Sequence, residues 1–344
     1  MKHLLVTGGC GFIGSHFVRL VLRERPNYRV VNLDLLTYAG NLENFSKDRE
    51  TRDPARYHFV QGDIADLAST KQILQKENID AVINFAAETH VDRSLLDSAP
   101  FLRTNVEGVR VLLEAACSQP VERFLQVSTD EVYGALAPGG RAFTEDHALK
   151  PNSPYAASKA AADLLLRAYH KSYGVQTLIT RCGNNYGPYQ FPEKFLPLFI
   201  TNALEDKSLP LYGDGMQVRD WIHVEDHARA LLCVLEHGTV GEIYNIGAGG
   251  EQTNLHMAEQ VLRALGKPPS LIRYVTDRAG HDRRYAIDAS KLSNELSWRP
   301  SISLDAGLRD TIDWFCREQQ WWRRIKSGEY RRYYDQQYSM RFGQ

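Results

Sequence analysis

The stretch Thr7-Gly8-Gly9-Cys10-Gly11-Phe12-Ile13-Gly14 decides the fold. It follows the short apolar run of residues 3–7. It opens residues 12–23, where Phe12, Ile13, Phe17, Leu20 and Val21 recur at helical spacing. Strand, glycine turn and helix in that order form a cradle for phosphates. Gly8 permits the tight turn, Gly11 lets the backbone approach a pyrophosphate, and Gly14 lets the helix pack close to the strand. The free N–H groups and positive dipole end of the helix face the same point. A glycine pattern alone is weak; its place between a strand and a helix makes it specific.

Working outward, residues 29–33 form a β-branched run that ends at Asp34. A carboxylate about 20 residues beyond the last glycine accepts hydrogen bonds from the adenosine ribose. Leu35 follows it, not an arginine that would welcome a 2′-phosphate, so the cofactor expected is NAD and not NADP. Asp63, after the run at 57–61, is a candidate for the adenine amino group. Runs at 81–85 and 123–128 are further buried strands, and residues 67–76 are helical. Near-continuous apolar strands separated by helices predict an α/β fold, a doubly wound, Rossmann-type parallel sheet.

The second half is less regular. Residues 226–236 read as a helix, 242–246 as a strand of the first kind, and 311–324 as a late amphipathic helix. A smaller α/β substrate domain is therefore interleaved with the larger one. The division expected is 1–187, with about 221–248 and 303–322, for the NAD-binding domain. Residues 188–220 and 249–302 make the smaller substrate domain, and 323–344 a tail packed on the fold.

Of the 344 residues 43% are hydrophobic, enough for a real core. Lys and Arg number 41 against 42 Asp and Glu, so the broad basic field of a nucleic-acid binder is missing. The tail interleaves Arg323, Arg324, Lys326, Arg331 and Arg332 with aromatics, but also carries Glu329 and Asp335, and reads as a cap on the fold. Five cysteines without a CxxC argue against a disulfide framework or a zinc site; no metal is expected. No run reaches the ~20 apolar residues of a membrane span. The apolar residues 4–6 stop at Gly8-Gly9, short of a signal-peptide core. The expectation is a cytoplasmic protein with no membrane partner.

Tyr155 and Lys159 lie four residues apart ahead of strong helix formers, on one helix face. An ammonium beside a phenol lowers its pKa and makes it a usable base for a sugar hydroxyl. Ser128-Thr129-Asp130-Glu131 follows a buried strand, at the carboxyl end where ligands bind in an open α/β sheet. Two adjacent carboxylates can be driven to different protonation states, one an acid and the other a base.

The chain resembles the extended short-chain dehydrogenase/reductase family, and within it the dTDP-glucose 4,6-dehydratases. The matching strings lie at residues 7–14, 34–41, 86–94, 128–134, 155–159, 181–194, 210–221 and 277–288, nearly end to end. The Asp130-Glu131 pair is the most specific; Thr89 and Gly183 are conservative departures.

The resemblance implies a hydro-lyase that makes dTDP-4-keto-6-deoxyglucose. NAD takes a hydride from C4 while Tyr155, supported by Lys159, takes the O4 proton. Glu131 then removes the C5 proton, Asp130 protonates the departing C6 hydroxyl, and the hydride returns to C6. Thr129 hydrogen-bonds the O4 region. The resemblance also implies cofactor contacts from Gly8, Gly11, Phe12, Ile13, Gly14, Asp34, Thr37, Asp63, Ile64, Ala86, Ala87 and Thr104, besides Tyr155 and Lys159. Asn184, Lys194, Pro210, Tyr212, Arg219, Asn254, Arg278, His281 and Tyr285 are implied at the nucleotide end. Arg219 and Arg278 suit a diphosphate because guanidinium offers forked, permanent charge.

Two other readings stand beside this one: a UDP-sugar 4,6-dehydratase or 4-epimerase, and a non-catalytic NAD sensor. A 4-epimerase has no C6 hydroxyl to expel and no use for Asp130. A homodimer is expected, with residues 95–117 and 155–173 as long helices pairing through Leu112, Leu113, Leu164, Leu165 and Leu166.

Overall fold

The computed structural model describes residues 2–137 and 139–327, with Tyr334 and Tyr338 beyond them. Seven strands make the large sheet: β1 (His3–Thr7), β2 (Arg29–Asp34), β3 (Tyr57–Gln61), β4 (Ala81–Asn84), β5 (Arg123–Thr129), β6 (Thr177–Cys182) and, further on, Ile243–Ile246. All neighbours pair in parallel, and from one edge the order runs Ile243–Ile246, β6, β5, β4, β1, β2, β3. The order reverses beside β1, so the carboxyl ends of β1 and β4 open a crevice there.

The pleat explains the two cores. Leu4 and Val6 of β1 face one layer with Val30, while Leu5 faces the other with Val31 and Leu33. Helix α1 (Phe12–Glu24) covers the first face and α2 (Leu67–Lys76) the second. After β4 come α3 (Val91–Leu96), α4 (Ala99–Phe101), a π-helical run Leu102–Gly108 and α5 (Val109–Ser118). The single long helix expected over 95–117 is therefore broken. Helix α6 (Pro154–Tyr173) is continuous, with Ser153 capping its N-terminus and Gly174 closing it at φ +72°.

Beyond β6 the chain alternates between the large sheet and a smaller lobe. β7 (Asn184–Tyr186), α7 (Phe195–Leu204), β8 (Leu209–Tyr212) and β9 (Val218–His223) come first. Then α8 (Val224–His237) packs on α1, and β10 (Ile243–Ile246) completes the large sheet beside β6. β11 (Glu251–Thr253), α9 (Asn254–Ala264) and β12 (Ile272–Val275) return to the small lobe. There β11-β9-β7 and β12-β8 form two small sheets. Helix α10 (Ser290–Leu296) lies against β10. The late helix expected over 311–324 is two, α11 (Leu304–Arg317) and α12 (Gln319–Ile325), parted at Glu318. Residues 323–325 of the tail end α12 and 326–327 form a turn after it, while most of 328–344 lies outside the described residues.

The leucine set expected at a dimer interface needs correction. Leu112, Leu113 and Leu166 are buried in this chain's own core, against β-strand residues such as Leu5 and Ile179. Leu165 is only partly buried there. Leu164 is exposed, together with Leu95, Leu96, Leu102 and Tyr173.

The turn after β1 tolerates no side chain at Gly8, whose φ is +68° and whose added β-carbon would lie 2.6 Å from the Ala86 amide nitrogen. The left-handed strain and overpacking of Gly8→Val should cost about 2–5 kcal/mol. Urea unfolding would measure it, and an unchanged midpoint would contradict this account of the turn.

Candidate active site

Two clefts meet at the carboxyl ends of β1, β4 and β5. The first is lined by every residue expected at the cofactor: Gly8, Gly11, Phe12, Ile13, Gly14, Asp34, Thr37, Asp63, Ile64, Ala86, Ala87, Thr104, Tyr155 and Lys159. Thr129, Asp130 and Glu131 stand at its inner end. The second is lined by Asn184, Lys194, Pro210, Tyr212, Arg219, Asn254, Arg278 and His281. Thr89, Glu131, Asn184, Glu193 and Lys194 belong to both walls, so the clefts are continuous at the carboxylate. Tyr285 is placed differently. It lies buried beneath Arg219, with the guanidinium 4.4 Å from its ring centre, and in neither wall.

The glycine turn fits a dinucleotide. Added β-carbons would strike Ala86 at Gly8 and the Gly8 carbonyl at Gly14, so bare backbone forms the floor. Asp34 accepts hydrogen bonds from Cys10 N at 2.9 Å and Leu36 N at 2.8 Å, which hold its carboxylate at the end of β2. Asp63 is fastened by Arg103 at 2.7 Å.

The candidate acid and base sit on a short turn. β5 ends at Thr129, whose hydroxyl caps the 3₁₀ turn Asp130–Tyr133 by accepting from Glu131 N at 3.3 Å. The turn leaves through Gly134 at φ +81°, where an added β-carbon would strike the Lys150 carbonyl. Asp130 is 2% exposed; its Oδ1 accepts from the Thr129 hydroxyl at 3.3 Å and its Oδ2 has no protein partner. Burial, and then the Glu131 charge, push its carboxyl well above the usual carboxylate range. Glu131 is also raised by burial, but Arg278, Arg219 and Lys194 draw it back down. The neighbours thus stand in different electrostatic environments, the cations acting on Glu131 more than on Asp130.

Tyr155 and Lys159 share the inward face of α6. The expected lowering of the phenol by Lys159 is not what the protein alone produces. Burial first and the Glu131 charge second push Tyr155 well above its ordinary value, with a Thr129 hydrogen bond acting the other way. The Lys159 ammonium is engaged with the Val127 carbonyl at 2.7 Å, and burial lowers it to about 8.

Sequence reasoning missed the residues that aim the cations. Asp92, 4% exposed, accepts from Tyr212 Oη at 2.7 Å and pairs with Arg278 at 3.3 Å. The Asp282 carbonyl accepts from Arg219 at 3.0 Å, while its carboxylate takes the Tyr285 hydroxyl at 2.5 Å. Asp277 holds His281 at 2.6 Å, and Lys194 donates to the Thr89 carbonyl at 2.8 Å. Asp92 lies inside the matched string 86–94, which was its only signal. Trp321 and Ile325 of α12 also enter the first wall, a contact no local pattern announces. Among the described residues no group of three His, Cys, Asp or Glu could hold a metal ion.

Residues 5–311 match the family model described as GDP-mannose 4,6 dehydratase. A dTDP-glucose 4,6-dehydratase of an Actinoplanes species is 49% identical over 93% of this chain and 99% of its own. The chain belongs to the dTDP-glucose 4,6-dehydratase family. Among solved members, the Bacillus anthracis enzyme in complex with NAD is 47% identical with a TM-score of 0.88, covering 95% of this chain and 100% of that one. A Streptomyces venezuelae member solved with NAD and dTDP bound is 49% identical with a TM-score of 0.91, over 94% and 100%. The dehydratase family's seven-stranded parallel sheet is the one described above.

Asp92→Asn should loosen Arg278 and Tyr212 together. Because hydrogen bonds to charged groups contribute about 1.5–3 kcal/mol, the Kd for dTDP should rise at least about tenfold. Calorimetric titration reads this directly, and an unchanged Kd would remove Asp92 from nucleotide binding.

Proposed function

We propose that this chain is a dTDP-glucose 4,6-dehydratase, converting dTDP-glucose to dTDP-4-keto-6-deoxyglucose and water. The observation that carries the reading is the Asp130-Glu131 pair in two electrostatic environments, beside Thr129, Tyr155 and Lys159. Family membership points the same way.

The glycine turn, Asp34, Thr37, Asp63, Ile64, Ala86, Ala87 and Thr104 would hold NAD, which when bound would supply the hydride acceptor for C4 and the hydride donor for C6. The other work falls to the chain's own groups. Tyr155 takes the O4 proton, with the Lys159 ammonium compensating the phenolate, and Thr129 hydrogen-bonds O4. The resulting ketone acidifies C5–H. Glu131, kept ionisable by its three cations, takes that proton. Asp130, kept neutral by burial, passes its own proton to the C6 hydroxyl, which leaves as water. Glu131 then reprotonates C5. Arg219, Arg278 and Lys194 hold the diphosphate; Asn184, Pro210, Tyr212, Asn254 and His281 line the nucleoside. Tyr285 supports Arg219 from behind. The large sheet with α8 and β10 is the cofactor domain, and the small sheets form the nucleotide-sugar domain.

Incubation with dTDP-glucose and with UDP-glucose, read by the 4-keto chromophore in alkali, tests activity and base preference. No ketone from either substrate would reject the reading.

The enzyme is further proposed to be a cytoplasmic homodimer. All five cysteines are free, and no helix among the described residues is long and apolar enough to cross a membrane. Leu95, Leu96, Leu102, Leu164 and Tyr173 give the helices after β4 and α6 exposed apolar surface suited to a two-fold interface. Light scattering at micromolar concentration should give twice the chain mass; a monomer would reject it.

The two carboxylates can be separated by isotope exchange. Asp130→Asn and Glu131→Gln should each lower turnover by about 10²–10⁴-fold. In D₂O, Asp130→Asn keeps Glu131 as the C5 base, so bound 4-ketoglucose should still exchange its C5 proton. Glu131→Gln should exchange far more slowly. Equal exchange in both variants would sink this division of labour.

A further inference from the structure

Tyr155, Lys159 and Asp163 recur every four residues along α6 and form one inward stripe. The first two are used by the proposed chemistry; the third is not. Asp163 is 2% exposed and touches no cleft wall. Arg181 of β6, itself 3% exposed, donates Nε to Asp163 Oδ2 at 2.9 Å and Nη1 to Tyr133 Oη at 2.9 Å. Tyr133 donates in turn to Asn245 Oδ1 at 2.8 Å. The guanidinium also lies 4.8 Å from the Tyr133 ring centre. The Ser128 hydroxyl faces the same carboxylate.

A buried ion pair is weak evidence for stability, because desolvation can exceed the Coulombic gain. This pair stands where a charge is useful. Lys159 is buried, and its only hydrogen bond among the described contacts goes to a neutral carbonyl. Its surroundings contain few charges. From its own helix, Tyr155 and Asp163 face it. From β6 comes Cys182, whose thiol burial pushes up to about 12 and leaves neutral, and Arg181 stands behind Asp163. From β5 comes only the Val127 carbonyl. On the turn beyond, burial holds the Asp130 carboxyl well above the usual carboxylate range. Asp163 is the leading charge that favours the ammonium against burial.

We propose that Asp163, locked by Arg181 one helical turn beyond Lys159, is a positioning residue that keeps Lys159 charged beside Tyr155. This rests on the dehydratase reading, in which Lys159 acts as an ammonium. The sign follows from the direction of the shift. Burial depresses Lys159 to about 8, so its charge is present below that pH and lost above it. Activity should therefore fall along an alkaline limb near pH 8.

The test compares alkaline limbs of kcat in three proteins with NAD saturating. Asp163→Asn keeps the shape but leaves Arg181 as an unpaired cation, so its limb should move down by about one pH unit or more. Asp163→Asn with Arg181→Met removes both charges, and its limb should lie between the other two. A merely structural role would lower kcat without producing this order. Any other order overturns the proposal. If the single variant fails to fold, the double variant alone decides, because a limb equal to the native one would also overturn it. Lys159→Met keeps the two readings apart. If it retains normal turnover, the dehydratase role of Lys159 fails; if it abolishes turnover while the limbs stay together, only the role of Asp163 fails.

Discussion

Two adjacent carboxylates cannot both be buried and both ionised without large cost, and the site is built around that constraint. Asp130 is left with an oxygen that no group among the described residues satisfies, which leaves it open to a ligand in the cleft. Glu131, one residue on, faces Arg219, Arg278 and Lys194. Those cations come from β9, from the loop after β12 and from the start of α7, all in the small lobe. The elements proposed to hold the nucleotide diphosphate therefore also act on the proposed base. In that reading binding and proton chemistry share the same charges, which Asp92, Asp277 and Asp282 aim.

The large sheet supplies the rigid side of this arrangement. β5 ends in the capped turn that bears the carboxylates, and α6 carries the phenol and ammonium past it. Behind them the Asp163–Arg181 pair ties α6 to β6, and Tyr133 and Asn245 carry the tie to β10. A similar closure links distant ends of the chain at the cofactor turn. Trp321 of α12 donates to Asn44 at 3.1 Å, and Asn44 donates to the Cys10 carbonyl at 2.9 Å. The glycine loop thus leans on the late part of the sequence.

Much of this was legible beforehand because the signals are local. A glycine turn between strand and helix, an acid at the end of the second strand and a four-residue repeat on a helix follow from backbone geometry and spacing. The nucleotide contacts were legible only through the resemblance, since lone arginines carry no address. Helix lengths were read less well. The π-helical run at Leu102–Gly108 and the break at Glu318 leave the apolar periodicity almost untouched, so the pattern continues through a change in hydrogen bonding. Leu112, Leu113 and Leu166 were misassigned to a dimer for a related reason. Periodicity says that a leucine is on an apolar face, but not whether the sheet of the same chain already covers it.

By itself the sequence determined the doubly wound class and the place of the glycine turn, and it marked the adjacent carboxylates and the phenol as candidates, because each signal depends on neighbours within a few residues. Only the tertiary structure decided which carboxylate burial pushes up further, why the phenol is pushed above its ordinary value in the protein alone, and which aspartates aim the arginines. Protonation depends on burial and on charges brought from far along the chain. Asp92 and Arg278 meet across 186 residues. No spacing rule reaches that far, because the contact exists only after the small lobe has closed against the large one.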